Sequence, residues 1–404
     1  MYEIKRGTYL DKLVRYVDAP VAVAVVGLRR VGKSVLLRQL ARLLRDRGRV
    51  VYVDMEEFAF EWIRDAGDLV AHVAEQRAVG RTYVIVDEVQ QIRDWERAVA
   101  SLQNRNETHV VVSGSNSTLF AGELATRLAG RYVTLRVLPL SLREFGELYS
   151  ATQRESPAPA DLFSRYRALG GLPGLLHTDL SADLVRQMLR DVYSTITLRD
   201  VVQRQSIRDL DMFESIVRLA MDNVGNLTSG KRISDYMRSQ QRRGTADTVL
   251  NYLSYLCDAF VLDRVDRFDV RGKRHLQVGS KYYLGDLGLR RGLLGTQERW
   301  IAGDLENLVF HELLRRDYQV AVGTVGSREI DFVAEGANGR VYVQVSYLIG
   351  APETLEREKS SLLRTGDAHA KVILSMDPIA PGPLDGIRHV NLIDFLSGAA
   401  LPTD

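Results

Sequence analysis

The run Gly27-Leu28-Arg29-Arg30-Val31-Gly32-Lys33-Ser34 has the spacing G-x-x-x-x-G-K-S, in which each fixed residue type meets a separate need of a phosphate group. Gly27 and Gly32 let the backbone wrap so that successive N–H groups, those of Arg29, Arg30 and Val31 and on to Val35, point inward at phosphate oxygens. Lys33 can reach the β- and γ-phosphates. Ser34 can ligate Mg²⁺, and the N-terminus of the following helix adds partial positive charge. Hydrolysis needs in addition an acidic residue at the end of a second buried strand, and Tyr83-Val84-Ile85-Val86-Asp87-Glu88 supplies one with a carboxylate to spare. Asp87 is assigned to the metal, acting through water, and Glu88 to polarising the attacking water as general base. The chemistry expected from these residues is Mg²⁺-dependent hydrolysis of ATP to ADP and phosphate.

The elements that must hold these groups can be read around them. Val21 to Val26 is a short β-branched and Ala run, and after the glycine loop Val35, Leu36, Leu37, Leu40, Leu43 and Leu44 recur at helical spacing. The order is strand, loop, helix. A further β run, His109 to Ser113, ends in Gly114-Ser115-Asn116-Ser117, where a polar side chain near the γ-phosphate would act as a sensor. Ser115 and Asn116 compete for that role, and either could instead cap the segment that begins at Thr118.

With 404 residues, the chain has room for two to three domains at roughly 150 residues each. Hydrophobic residues at 45% and charged residues at 26% are ordinary globular composition and argue against a disordered, collagen-like or disulfide-stapled chain. The 54 Lys and Arg against 52 Asp and Glu leave a net charge of +2, so any polyanion site must be local. A single cysteine, Cys257, excludes an internal disulfide and a Cys-rich metal site and fits a reducing compartment. No apolar run approaches the roughly 20 residues of a membrane span, and no signal-peptide core opens the chain. The expected location is therefore cytoplasmic, with no membrane partner.

The motifs above, with Val86-Asp87-Glu88-Val89-Gln90, Gly130-Arg131 and Leu138-Pro139-Leu140-Ser141-Leu142-Arg143-Glu144-Phe145, closely resemble a family of prokaryotic AAA+-like ATPases. Its members carry a C-terminal domain of unknown function with a restriction-endonuclease-like core. The likeness runs on through Gly170-Gly171-Leu172-Pro173-Gly174, Lys281-Tyr282-Tyr283-Leu284-Gly285-Asp286, Leu305-Glu306-Asn307 and Glu329-Ile330-Asp331-Phe332, so it covers nearly the whole chain. With the pattern of elements read along the chain, the expected architecture is an α/β fold with a P-loop AAA+-like ATPase domain over 1–150, a helical and winged-helix region over 151–290 and a PD-(D/E)xK-like α/β domain over 291–404. The resemblance also implies a homo-oligomer, a hexamer by analogy with AAA+ rings. In that class an arginine before the last core strand reaches a neighbouring subunit's γ-phosphate; Arg131 is the first candidate and Arg127 the second.

In the middle region, Thr245 to Phe260 reads as a recognition helix and Arg271-Gly272-Lys273-Arg274 as the tip of a wing. From Gly225 to Lys281 there are 11 Lys and Arg against 6 Asp, a local charge of +5. Lys231, Arg232, Arg238, Arg242, Arg243, Arg271, Lys273 and Arg274 are candidate DNA contacts, with a lid or protein-docking role as the alternative. In the last third, Glu306 and Asp331 match two places of a PD-(D/E)xK site, but Gln344 replaces the second carboxylate and Ser346 stands where the lysine belongs. A degenerate, non-cleaving fold is the expectation, with Glu358 or Lys359 able to replace the lost groups if either migrates inward. Alongside nucleotide-driven assembly or work on DNA or a protein, two other functions are carried: a nucleotide-gated scaffold with slow hydrolysis, and an ATP-regulated nuclease.

Overall fold

The computed structural model describes residues 2–77, 79–105, 107–117, 130–239 and 245–403. The chain divides into two compact units, Met1–Pro139 with Asp258–Phe260, and Leu140–Cys257 with Val261–Asp404.

In the first unit, β1 (Ala22–Val26), β2 (Arg49–Asp54), β3 (Thr82–Asp87), β4 (Thr108–Gly114) and β5 (Tyr132–Arg136) form a parallel sheet in the order β2-β3-β4-β1-β5. Every residue of β1 and β3 is buried, which is why both read as unbroken apolar runs instead of alternating ones. Helix Lys33–Leu44 turns Leu36, Leu37, Leu40, Ala41 and Leu44 to the interior, as its helical spacing requires. Ala66–Gln76 starts on a capping box, with Asp65 accepting from Gly67 and Asp68 while Asp68 reaches back to the Asp65 N–H. The register fixes the working edge. Val26 pairs with Gly114 on one side and Arg136 on the other, and Asp54 pairs with Asp87, so the loops after β1, β3 and β4 emerge along one edge of the sheet.

The second unit begins with helices, among them Leu142–Gln153, Pro159–Leu169, Ala182–Thr195, Leu210–Asp222, Gly230–Ser239 and Ala246–Asp258. A mixed seven-stranded sheet follows, built from β6 (Leu262–Asp269), β7 (Arg274–Leu284), β8 (Gln319–Val325), β9 (Arg328–Gly336), β10 (Gly339–Val345), β11 (Ala370–Ser375) and β12 (Arg388–Asn391) in the order β12-β11-β10-β9-β8-β6-β7. This departs from the expected boundaries. Helix Leu142–Gln153 belongs to the second unit, and the strands expected as a wing are the edge of the C-terminal sheet. The helices do precede a hairpin, as a winged helix requires, but β6 pairs in parallel with β8 through Arg267–Asp269. The reason is burial: Phe268 and Val270 share one apolar core with Val325, Ile330, Val333 and Tyr342, a surface that a free-standing wing would leave in water.

Two family motifs meet inside this unit. The Asp286 carboxylate, 2% exposed, accepts the N–H groups of Gly171 at 2.6 Å and Gly288 at 2.7 Å. Gly170 lies at φ +78°, and a Cβ there would fall 2.1 Å from Asp286 Oδ1, so both the backbone conformation and the space demand glycine. Burial pushes the Asp286 carboxyl up to about 7 against these two hydrogen bonds. Gly170-Gly171 and Gly285-Asp286 are thus a packing lock between helices.

Candidate active site

The glycine loop has the backbone its sequence calls for. Gly27 and Gly32 take φ of 150° and 95°, and Arg30 also lies at positive φ. A Cβ on Gly27 would sit 2.3 Å from the Val137 carbonyl oxygen, so the close approach of β1's exit to β5's exit admits only glycine. Lys33, 4% exposed, folds its Nζ onto the carbonyls of Gly27 at 3.0 Å and Leu28 at 3.3 Å, which keeps the ammonium inside the bowl of the loop. Ser34 follows in the first turn of the helix, whose N-terminal N–H groups open at the loop. Arg29 lies 3.4 Å from Glu56.

Asp87 and Glu88 follow at the end of β3. Asp87 is fully buried; its Oδ1 accepts the hydroxyl of Ser113 in a short hydrogen bond, and its Oδ2 has no hydrogen-bond partner. Glu88 sits in the left-handed region at φ 52°. A non-glycine residue there costs about 1–3 kcal/mol and persists only where its surroundings impose it. Ser113 imposes it, because its Oγ accepts the Glu88 N–H at 3.0 Å while its own proton goes to Asp87. The Glu88 carboxylate is held by a short hydrogen bond from the side-chain amide of Gln90. Burial raises the Glu88 carboxyl above its ordinary range, and Lys33, Gln90 and Arg29 oppose that shift. Ser115 and Asn116 are both buried beside this edge, and the Ser115 hydroxyl has no hydrogen-bond partner.

Three groups here were not singled out in the sequence. Ser113 and Gln90 lie in the motifs Ser113-Gly114-Ser115-Asn116-Ser117 and Val86-Asp87-Glu88-Val89-Gln90, where neither was given a role. Arg6 carries no local signal at all. It is 5% exposed, stacks 4.5 Å over Tyr9, and donates to Val31 O in the glycine loop at 3.2 Å and to Leu138 O and Pro139 O at 3.0 and 3.3 Å.

Arg131 does not join this edge. It precedes β5, where its carbonyl accepts the Ala22 N–H at 3.0 Å, so it stands at the end of the sheet opposite the glycine loop, with its guanidinium on Asn104 at 3.1 Å. Arg127, Arg242 and Arg243 lie outside the described residues. Lys231 and Arg232 are exposed in the first turn of Gly230–Ser239, and Arg271, Lys273 and Arg274 are exposed on the β6–β7 turn, where Arg271 donates to Arg364 O at 3.1 Å.

In the second unit Glu306, Asp331 and Gln344 lie on helix Ile301–Arg315, β9 and β10. They line one open cleft of about 640 Å³. Of the two possible replacements, Glu358 lines the same cleft, whereas Lys359 is not among its lining residues. Lys359 is paired with Asp385 at 2.6 Å and Glu356 at 2.9 Å, and Glu358 is bound by Arg357 at 2.7 Å. The cation among the acids is Lys281 of β7. Its signal was period-two spacing, since Lys281 and Tyr283 of Lys281-Tyr282-Tyr283 fall on one face of the strand.

Comparison with known proteins matches two segments of the chain to described domains. Residues 20–146 match a family described as an AAA domain, and residues 160–299 match a domain of unknown function (DUF8612). An uncharacterized protein of Haemophilus influenzae is 34% identical over 97% of this chain and 98% of its own length. An uncharacterized protein of Methanocaldococcus jannaschii is 25% identical over 80% of this chain and 74% of its own. Among solved structures, the Walker-type ATPase of Pyrococcus abyssi superposes with a TM-score of 0.53 at 15% identity, covering 72% of this chain and 96% of that one. The likeness is one of fold. The chain belongs to one family with the Haemophilus influenzae protein; within it residues 20–146 match an AAA domain, and the fold is similar to that of a Walker-type ATPase.

Proposed function

We propose that this chain binds ATP with Mg²⁺ and hydrolyses it, and that its nucleotide state drives assembly of a homo-oligomer or conformational work on a DNA or protein partner. One observation carries the reading: a buried Asp87 with a free oxygen and a buried Glu88 held by Ser113 and Gln90, on the same sheet edge as the glycine loop. The donor set suits a hard divalent cation, which prefers oxygen ligands. Ser34 and, through water, Asp87 would hold Mg²⁺, whose part is to neutralise charge on the phosphates. The N–H groups of residues 29–35 and Lys33 bind and orient the phosphates, Glu88 takes the proton of the attacking water, and Ser115 or Asn116 senses the γ-phosphate. Phosphate release that is no faster than from Lys33→Ala would overturn the proposal.

Arg131 fits an arginine acting on a neighbouring chain, because it stands at the far end of the sheet from its own glycine loop. The expected result is that Arg131→Ala and Lys33→Ala are each inactive, yet their mixture regains phosphate release, with the rate per chain rising with protein concentration. No regain in the mixture would mean that Arg131 does not work in trans.

DNA is a candidate partner on the strength of the exposed Arg271, Lys273 and Arg274 turn with Lys231 and Arg232. Affinity for duplex DNA should fall steeply with salt, and neutralising Arg271, Lys273 and Arg274 should lower the log–log slope by about one for each phosphate left without its cation. An unchanged slope would assign the turn to protein docking.

A further inference from the structure

The acidic cluster of the second unit already contains a cation. Lys281, 1% exposed, places Nζ 2.9 Å from Glu306 Oε2, 2.8 Å from Glu329 Oε1 and 3.4 Å from Asp331 Oδ1. The remaining acceptors are largely committed. Glu306 Oε2 also takes the Tyr283 hydroxyl at 3.1 Å, Asp331 Oδ2 takes the Val345 N–H at 2.8 Å, and Gln344 Oε1 takes the Asp331 N–H at 3.2 Å. Gln344 therefore commits its one acceptor oxygen to the backbone of Asp331, where a carboxylate would have kept a second oxygen for a metal. The lysine is fixed by three carboxylates from two elements, helix Ile301–Arg315 and β9, while its own backbone is tied into β7. Glu306 Oε2, Glu329 Oε1 and Asp331 Oδ1 are thus within ion-pair distance of the ammonium, and Asp331 Oδ2 is bonded to a backbone N–H.

We infer that Lys281 is the resident cation of this cluster: its ammonium takes the place from which a divalent metal would bridge Glu306 and Asp331, and removing it turns the cluster into a divalent-cation site. A fixed positive charge at the centre repels an incoming divalent ion and occupies its ligands at once.

The test counts Mn²⁺ bound to the nucleotide-free, full-length protein by electron paramagnetic resonance. The wild type and Asp331→Asn should bind equally, whereas Lys281→Ala should gain one ion per chain that Lys281→Ala combined with Asp331→Asn loses again. Lys281→Met, which keeps the bulk of the side chain, should gain the same ion, and Lys281→Arg should gain none. An ion bound by the wild type and lost in Asp331→Asn or in Glu306→Gln overturns the inference. So does a folded Lys281→Met that gains no ion. If neither neutral variant folds, the comparison of wild type with Asp331→Asn and Glu306→Gln still decides it, because equal binding in all three supports an occupied site and unequal binding refutes it.

Discussion

Glu88→Gln should lower the turnover of ATP by about a hundredfold to ten-thousandfold, the usual contribution of a positioned general base, while nucleotide binding persists. Gln keeps the shape of the side chain and the left-handed backbone at φ 52°, and the Ser113 bond to the residue 88 N–H does not depend on the carboxylate. Lys33→Ala should behave differently and lose nucleotide affinity, since Lys33 is the buried cation of the glycine loop. Measuring phosphate release beside equilibrium binding of a fluorescent ADP analogue separates the two; equal turnover in wild type and Glu88→Gln would remove Glu88 from the mechanism. The pH profile carries a sign. A base works only when deprotonated, and burial raises the Glu88 carboxyl, so activity should fall on acidification from a higher pH than for a solvent-exposed glutamate. Gln90 donates to that carboxylate and opposes the rise. Gln90→Ala should therefore move the acid limb to still higher pH, a change that loss of packing alone does not produce.

The largest effect on stability should come from Asp304→Ala. Asp304 is fully buried in the first turn of helix Ile301–Arg315, with Arg290 closely paired to one oxygen and Arg291 at 2.6 Å on the other. Arg167 approaches to 3.8 Å, and Trp300 stacks 4.5 Å from the Arg290 guanidinium. Burial, and next the neighbouring Arg291, press Arg290 toward its neutral form, and Arg290 Nε, Arg291 Nε and Arg291 Nη1 have no hydrogen-bond partner. One carboxylate thus balances more than its own charge. Removing it leaves buried guanidinium groups uncompensated, at about 3–5 kcal/mol. For a unit of this size that lowers the melting temperature by roughly 10 °C. Replacing Arg290, Arg291 and Asp304 together by apolar residues should be far milder than Asp304→Ala alone, because no uncompensated charge remains. A melting temperature for Asp304→Ala within about 2 °C of wild type would show that the cluster does not hold the unit together.

What could be read from the sequence was what lies close along the chain. Gly27, Gly32, Lys33 and Ser34 stand in one turn and Asp87 with Glu88 at one strand end, so covalent spacing alone sets most of their geometry. Helix Lys33–Leu44 and strands β1 and β3 were legible for a related reason, since burial on one helical face or on both strand faces leaves a pattern a few residues long. Glu306, Asp331 and Gln344 were readable as partners only through the family resemblance, and the fold does bring them to one cleft.

The tertiary structure decided whatever depends on a distant partner. A β-hairpin has the same local pattern whether it ends free or continues into a sheet, and pairing of Arg267–Asp269 with Val322–Thr324 made β6 and β7 an edge of the C-terminal sheet. Ser113 became the brace of Asp87 and Glu88 because β4 lies beside β3, an adjacency set by the folded sheet order. Lys281, 25 and 50 residues from Glu306 and Asp331, became the cation of their cluster in the same way. Arg6 reached Leu138 across 132 residues. Such pairings follow from the burial of apolar surface by elements far apart in sequence, which leaves only weak traces in the local pattern of residues. By itself the sequence determined the chemistry of the glycine loop and the carboxylate pair; the folded chain determined which side chains hold that pair in place and which cation fills the acidic cleft.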